Sequence, residues 1–272
     1  LALKPRSPLI TVMTSAARKA AKSLLRDFQE VEQLQVSVKS PSDFVSQADL
    51  KAEAILKQEL SKARPNFAFL MEESGAGGAA DWEFRWVVDP LDGTTNFLHG
   101  IPHWAISIAA ERRTKAGSEI VAGMVYSPAP DEMFWAEKGA GAYVNEGRIR
   151  VSARRDLASA VFATGIPFAP VPRKQEFSAI LSDLMPQVAG IRRFGAAALD
   201  LAWVAAGRFD GFWELGLKPW DIAAGLLMVR EAGGFATAPD GGDAYAAGHV
   251  VAGNEHLHEK LRGIVHARAG AL

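Results

Sequence analysis

Residues 86–100 read WVVDPLDGTTNFLHG, an apolar run that ends in two acids and a glycine–threonine turn. The run has the composition of a buried strand, and it delivers Asp89 and Asp92 at its end. Two carboxylates are costly to place there without a counter-charge. A bound cation is the simplest compensation. Pro90 fixes one φ angle between the acids, so Asp-Pro-Leu-Asp reads as a sharp turn. Gly93, Thr94 and Thr95 then read as a helix start, where unpaired backbone amides hold a phosphate. The working expectation is a metal next to a phosphate.

Composition removes several rivals. The chain has no cysteine, which excludes disulfides, thiol catalysis and zinc–thiolate sites. Its histidines, at 99, 103, 249, 256, 258 and 266, show no ligand spacing, so zinc is disfavoured. His256, His258 and His266 fall on or near a C-terminal helix and are expected to be exposed. Hard cations such as Mg²⁺ instead take carboxylates, water and substrate phosphate. A net charge of −1 provides no basic field for nucleic acid. There is no 18-residue apolar stretch to cross a membrane and no apolar core with a cleavage site near the N-terminus, so a soluble cytoplasmic protein is expected. Gly75–Ala80 matches a dinucleotide loop formally, but it leads into a strand rather than a helix, and a flexible loop is the reading kept.

Periodicity gives a helix over 8–30, a short extended segment over Val31–Val38, a turn at Lys39–Asp43 and a second helix over Gln47–Lys62 with Ser46 as its N-cap. Short apolar runs give strands at Asn66–Met71, Arg85–Val88, Trp104–Ala110, Ile120–Ser127 and Glu132–Glu137. The first half, 1–150, thus reads as two helices on an antiparallel sheet. The second, 151–272, alternates strands at Ala160–Thr164, Ile191–Phe194, Gly211–Glu214 and Val250–Gly253 with helices at Gln175–Val188, Ala196–Ala206, Pro219–Ala232 and His256–Ala267. No linker separates the halves, so one integrated unit is expected.

Further acids stand out by context: Glu72 and Glu73 at a strand end, Asp49 in the first turn of the second helix, and Asp221 in Lys218-Pro-Trp-Asp. Taken singly, each reads more readily as a helix-dipole or solvated acid than as a ligand. Together with the opening stretch they form motifs in a familiar order: Lys39-Ser-Pro-Ser-Asp-Phe-Val-Ser-Gln-Ala-Asp49, Met71-Glu-Glu-Ser74, Asp89-Pro-Leu-Asp-Gly-Thr-Thr-Asn-Phe97 and Trp220-Asp221. Over nearly its whole length the chain resembles the inositol monophosphatase family of Mg²⁺-dependent, lithium-sensitive phosphatases.

The resemblance implies a layered α/β/α/β/α sandwich, α/β to α+β in class, assembled as a homodimer. It implies that Glu72, Asp89 and the Leu91 carbonyl bind a first metal. Asp89, Asp92 and Asp221 would bind a second, and Glu72 would help hold a weaker third with Lys39 nearby. Mg²⁺ is the implied ion, with Mn²⁺ or Ca²⁺ able to occupy the site. Thr94, paired with Asp49, would orient the attacking water, and the amides of Gly93, Thr94 and Thr95 would meet the phosphate. Glu214, Asp221 and the backbone at Gly195, Ala196 and Ala197 would contact the substrate's alcohol side. Ala196 and Asp200 stand where animal members often have Thr and Asn. Both differences lie on the alcohol side and leave the metal chemistry untouched. The implied activity is hydrolysis of inositol monophosphate. The alternatives are histidinol phosphate, fructose-1,6-bisphosphate or NADP on the same fold, and a macromolecule-binding role in transcription.

Overall fold

The computed structural model describes residues 6–30, 36–40, 43–115, 117–168 and 173–269. The first helix, α1 (Pro8–Gln29), starts where Ser7 Oγ accepts the Ile10 amide at 3.3 Å, with Pro8 in the first turn. Its buried face carries Ile10, Met13, Ala17, Ala20 and Leu24, at three- and four-residue steps. Next comes a hairpin of β1 (Val36–Ser40) and β2 (Asp43–Ser46), which reverses where the turn is expected. Pro41 and Ser42 of that turn, residues 31–35 of the expected extended segment and the Ser46 side chain lie outside the described residues. The second helix, α2 (Gln47–Ala63), buries Ala48, Ala52, Leu56 and Leu60, and with them Asp49 and Glu53.

The first sheet contains β3 (Ala68–Met71), β4 (Gly75–Gly77), β5 (Phe84–Asp92), β6 (Ala105–Thr114), β7 (Gly117–Ser127), β8 (Glu132–Glu137), β9 (Gly141–Val144) and β10 (Gly147–Ile149), in the order β10-β9-β8-β7-β6-β5-β3-β4. It is antiparallel except that β3 runs parallel to β5, so the expected purely antiparallel sheet is corrected to a mixed one. Between β5 and β6 lies the short helix α3 (Thr94–Leu98). The second sheet contains β11 (Val161–Thr164), β12 (Gly190–Arg192), β13 (Gly211–Leu215), β14 (Phe235–Thr237) and β15 (His249–Gly253), in the order β12-β11-β13-β15-β14. Its helices are α4 (Lys174–Leu184), α5 (Ala197–Ala205), α6 (Pro219–Glu231), the short α7 (Ala244–Ala247) and α8 (Glu255–Ala269).

Three cores stack these elements into the expected α/β/α/β/α layers. One joins α1 and α2 to a face of the first sheet through Leu24, Leu56, Trp86 and Ile108. The central one sandwiches α5 and α6 between the two sheets, through Val87, Val125, Leu201, Met228 and Phe212. The third places α4 and α8 on the outer face of the second sheet, through Ile180, Trp213 and Leu261. Helix α6 lies very close to its neighbours. A Cβ on Gly123 of β7 would come within 2.9 Å of Ala224 Cα, and one on Gly225 within 2.5 Å of Leu201 Cβ.

Several expectations need correction. Gly75–Gly77, read as loop, pairs with β3 as a strand. The elements β9, β10, β14 and α7 escape a reading of the sequence, because three or four residues are too few to show a period. His258 is buried at 6% exposure, and its Nε2 lies 3.0 Å from Thr237 Oγ1. It shares the buried stripe of α8 with Leu261 and Val265. Among the described residues no helix is long and apolar enough to cross a membrane.

Candidate active site

The strand β5 does not turn at Pro90. It runs through Asp92, and its pairing with β6 slips between Asp89, opposite Ser107, and Asp92, opposite Ala105. This is a bulge, a feature that re-aims side chains, and proline's missing N–H is tolerated there. The Leu91 amide donates to Asp89 Oδ1 at 2.9 Å. Asp89 and Asp92 are both buried. The Glu72 amide donates to Val88 O at 3.1 Å, which brings Glu72 alongside the bulge. Glu53 of α2 fixes that corner by accepting the Glu73 amide at 2.9 Å.

Gly93 follows with φ of 92°, and a Cβ there would stand 3.0 Å from His103 O and 3.3 Å from Ala196 Cβ. Both the backbone conformation and the close approach demand glycine. It opens α3, whose first turn has no side-chain cap among the described residues. Free amides at such a turn attract anions. Thr94 Oγ1 donates toward Asp49 Oδ1 at 3.0 Å and also lies 3.1 Å from Leu91 O. Asp49 is fully buried. The pairing of Thr94 with Asp49 is therefore a direct hydrogen bond across 45 residues of sequence.

Two further elements close the site. Asp92 Oδ2 accepts the Ala198 amide at 2.8 Å, tying the bulge to the first turn of α5. Gly195, Ala196 and Ala197 lead directly into that turn. Asp221 sits in the first turn of α6 and accepts the Lys218 amide at 2.7 Å. Glu214 lies near the end of β13, where a Cβ on Gly165 would collide with its carboxylate. Beside it is a cavity of about 130 Å³ lined in part by Gly165, Phe177, Trp213 and Leu215. The side chain of Lys39 lies outside the described residues.

The acids raise one another's proton affinity. Burial pushes the Asp89 carboxyl well above its ordinary range, and Glu72, Asp92 and Asp221 push it further. Burial takes Asp92 up to about 7 against the opposing Ala198 amide, and takes Asp221 up to about 7 against the Lys218 amide. Glu214 is pushed up to about 8 by burial, then by Asp200 and Asp221. Such a cluster of mutually repelling carboxylates fits an oxygen-liganded divalent cation. Among the described residues no three acidic or histidine side chains already converge as a ready ligand cage.

The structure thus gathers Asp49, Glu72, Asp89, Leu91, Asp92, Gly93 and Thr94 around one bulge and helix start. Asp221 is electrostatically coupled to that group, and Glu214 is coupled to Asp221 from the second sheet. Sequence reading gives no role to Asn96, whose Nδ2 donates to His103 O at 2.7 Å and to Phe194 O at 2.6 Å. It also passes over Glu53, although Glu53 lies one helical turn beyond Asp49, a spacing that could have revealed it.

The family model described as "Inositol monophosphatase family" matches residues 6–269. The chain belongs to the inositol monophosphatase family. Within the family it is 55% identical over 261 residues to a Rhizobium meliloti protein named inositol-1-monophosphatase, covering 96% of this chain and 97% of that one. It is 43% identical over 251 residues to the Escherichia coli protein named Nus factor SuhB, covering 92% of each. A crystal structure of extragenic suppressor protein suhB from Bartonella henselae superimposes with a TM-score of 0.91 at 56% identity, covering 95% of this chain and 98% of that one. The α/β/α/β/α layering is the architecture this inositol monophosphatase family member shares with that structure.

Proposed function

We propose that this chain is a Mg²⁺-dependent phosphomonoesterase that hydrolyses inositol monophosphate to inositol and phosphate. The observation that carries the reading is the Asp49–Thr94 hydrogen bond at the uncapped start of α3, directly after the buried Asp89 and Asp92. Glu72, Asp89, Asp92, Asp221 and the Leu91 carbonyl are the proposed holders of the ions. When bound, Mg²⁺ offsets the charge of the phosphate and the leaving alcohol and makes water acidic enough to react near neutral pH.

The chain's own residues then do the rest. The amides of Gly93, Thr94 and Thr95 bind the phosphate and hold it in line for attack. Asp49 takes the Thr94 hydroxyl proton into its hydrogen bond, which turns an oxygen lone pair of Thr94 toward the attacking water. The water's oxygen bonds to phosphorus and the bond from phosphorus to the alcohol oxygen breaks; the water's proton passes through Thr94 Oγ1 to Asp49, which later releases it to solvent, and the leaving alcohol oxygen takes a proton from a solvent water. Glu214 and the Gly195–Ala197 backbone bind the alcohol's hydroxyls.

A panel of phosphate esters assayed with Mg²⁺ tests this directly. Inositol 1-phosphate should outrun histidinol phosphate, fructose-1,6-bisphosphate and NADP; a clear preference for any of those three reassigns the substrate. The Nus factor name of the Escherichia coli relative favours a second reading, a macromolecular role in transcription. A cellular phenotype that persists in Asp92→Asn, with catalysis gone, would support it. The proposed homodimer in the cytoplasm predicts a scattering mass of two 29.2 kDa chains.

A further inference from the structure

His103 and Asp200 are not needed for the chemistry above, yet they meet beside it. Asp200 is 1% exposed, in the first turn of α5. Its Oδ1 lies 3.4 Å from His103 Nε2, a close approach of two buried polar atoms that have no hydrogen-bond partner among the described residues. The imidazole is pinned by aromatic rings, with centroids 4.7 Å from Phe194 and 5.1 Å from Trp203, the latter edge-on. The ring therefore has little freedom to turn away from the carboxylate.

The backbone of His103 faces the other way. Its carbonyl accepts Asn96 Nδ2 at 2.7 Å and stands 3.0 Å from where a Cβ on Gly93 would be. One residue thus touches the phosphate turn with its main chain and α5 with its side chain. The same turn of α5 is held a second time by Asp92 Oδ2 on the Ala198 amide. Two attachments fix an orientation where one would leave a hinge. The segment they orient, Gly195–Ala197, is the alcohol-side wall. A buried carboxylate is expensive to strand without its partner, so the contact has a strong reason to stay closed.

We propose that His103 and Asp200 are a positioning pair that sets the alcohol-side wall Gly195–Ala197 at its working distance from the phosphate turn Gly93–Thr95. The pair governs how well the polyol is held and leaves the phosphate chemistry alone. The proposal rests on the phosphatase reading above.

The test compares two esters. Inositol 1-phosphate offers hydroxyls to the alcohol-side wall, whereas p-nitrophenyl phosphate offers none. His103→Phe keeps the aromatic packing and removes Nε2. It should raise KM for inositol 1-phosphate about tenfold, with kcat and the p-nitrophenyl phosphate constants changed by less than about twofold. Asp200→Asn preserves a neutral contact to His103 and should hold KM within about threefold. The double variant His103→Phe/Asp200→Asn no longer strands a charge. Its melting temperature should recover toward wild type while KM for inositol 1-phosphate stays high. Equal losses on both esters, a KM that follows melting temperature across the variants, or no change in KM would each overturn the pair. A wild-type enzyme inactive on both esters would instead overturn the phosphatase reading, and the pair with it.

Discussion

Replacing Asp92 by Asn should make the metal-free protein more stable while destroying its response to metal. Asp92 is 9% exposed and its carboxyl is pushed up to about 7 by burial, from an ordinary value of 3.8. At about 1.4 kcal/mol for each tenfold change in proton affinity, ionising it in the fold costs on the order of 4 kcal/mol more than in the unfolded chain. Asparagine keeps an oxygen for the Ala198 amide and carries no charge. Neighbouring acids share the strain, so roughly half of that figure, about 2 kcal/mol, is expected as gain. For a chain of this size that is a rise of about 4 °C in melting temperature.

The sign with pH follows from linkage. The folded pKa is raised, so the ionisation penalty is absent below 3.8, grows as pH rises and is complete above about 7. The advantage of the variant should therefore be full at about pH 8.5 and shrink to about two-fifths at about pH 5. Scanning fluorimetry of EDTA-stripped protein at the two pH values measures this. Adding Mg²⁺ should then raise the melting temperature of wild type and barely move the variant, because a ligand stabilises only as far as its concentration exceeds its dissociation constant. A stripped variant less stable than wild type at the higher pH, a gap independent of pH, or an equal response to Mg²⁺ would refute the reasoning.

Four other outcomes are expected. Thr94→Val should lower kcat by about 10²–10³ with little effect on melting temperature, and Thr94→Ser should restore most of the rate in a steady-state phosphate-release assay. EDTA should abolish turnover, and millimolar lithium should inhibit it; full activity in either condition contradicts the proposed metal site. Burial lowers the His258 pKa from 6.5, so the unfolded chain binds a proton first and stability is lost as pH falls through that value; His258→Gln should flatten that part of the melting profile. Gly139 and Gly141 both donate their amides to Glu231, at 2.8 Å each, so Glu231→Ala should cost on the order of 2 kcal/mol in urea unfolding without changing KM.

The proposed phosphate half of the site is legible in the sequence because it is written locally. Asp89 to Asn96 are contiguous, and the chemistry of acids, glycine and threonines can be read without knowing what packs on them. The long helices are legible for the same reason, since α1 repeats its buried face along its whole length. Pro90 misleads because a proline between two acids resembles a turn, whereas the pairing across β6 decides that it is a bulge. The packing partners of Asn96, His103 and Asp200 stay hidden because they are remote: Asn96 reaches Phe194 across 98 residues. His258 is misread by residue type, although its spacing from Leu261 and Val265 places it on the inner face of α8.

The close packing of α6 has a consequence for anyone altering this enzyme at a distance. Asp221 is carried at the head of that helix, and the depth to which the helix sinks between its neighbours is gauged by Gly123 and Gly225. A single added methyl at either glycine works as a shim. It would lift the helix axis, withdraw Asp221 from the other acids and weaken ion binding from a position that touches neither ion nor substrate. If the proposed site holds its ions, their affinity would be tunable through the closeness of α6 to β7 and α5, and a mutational scan would record two core glycines as if they were ligands.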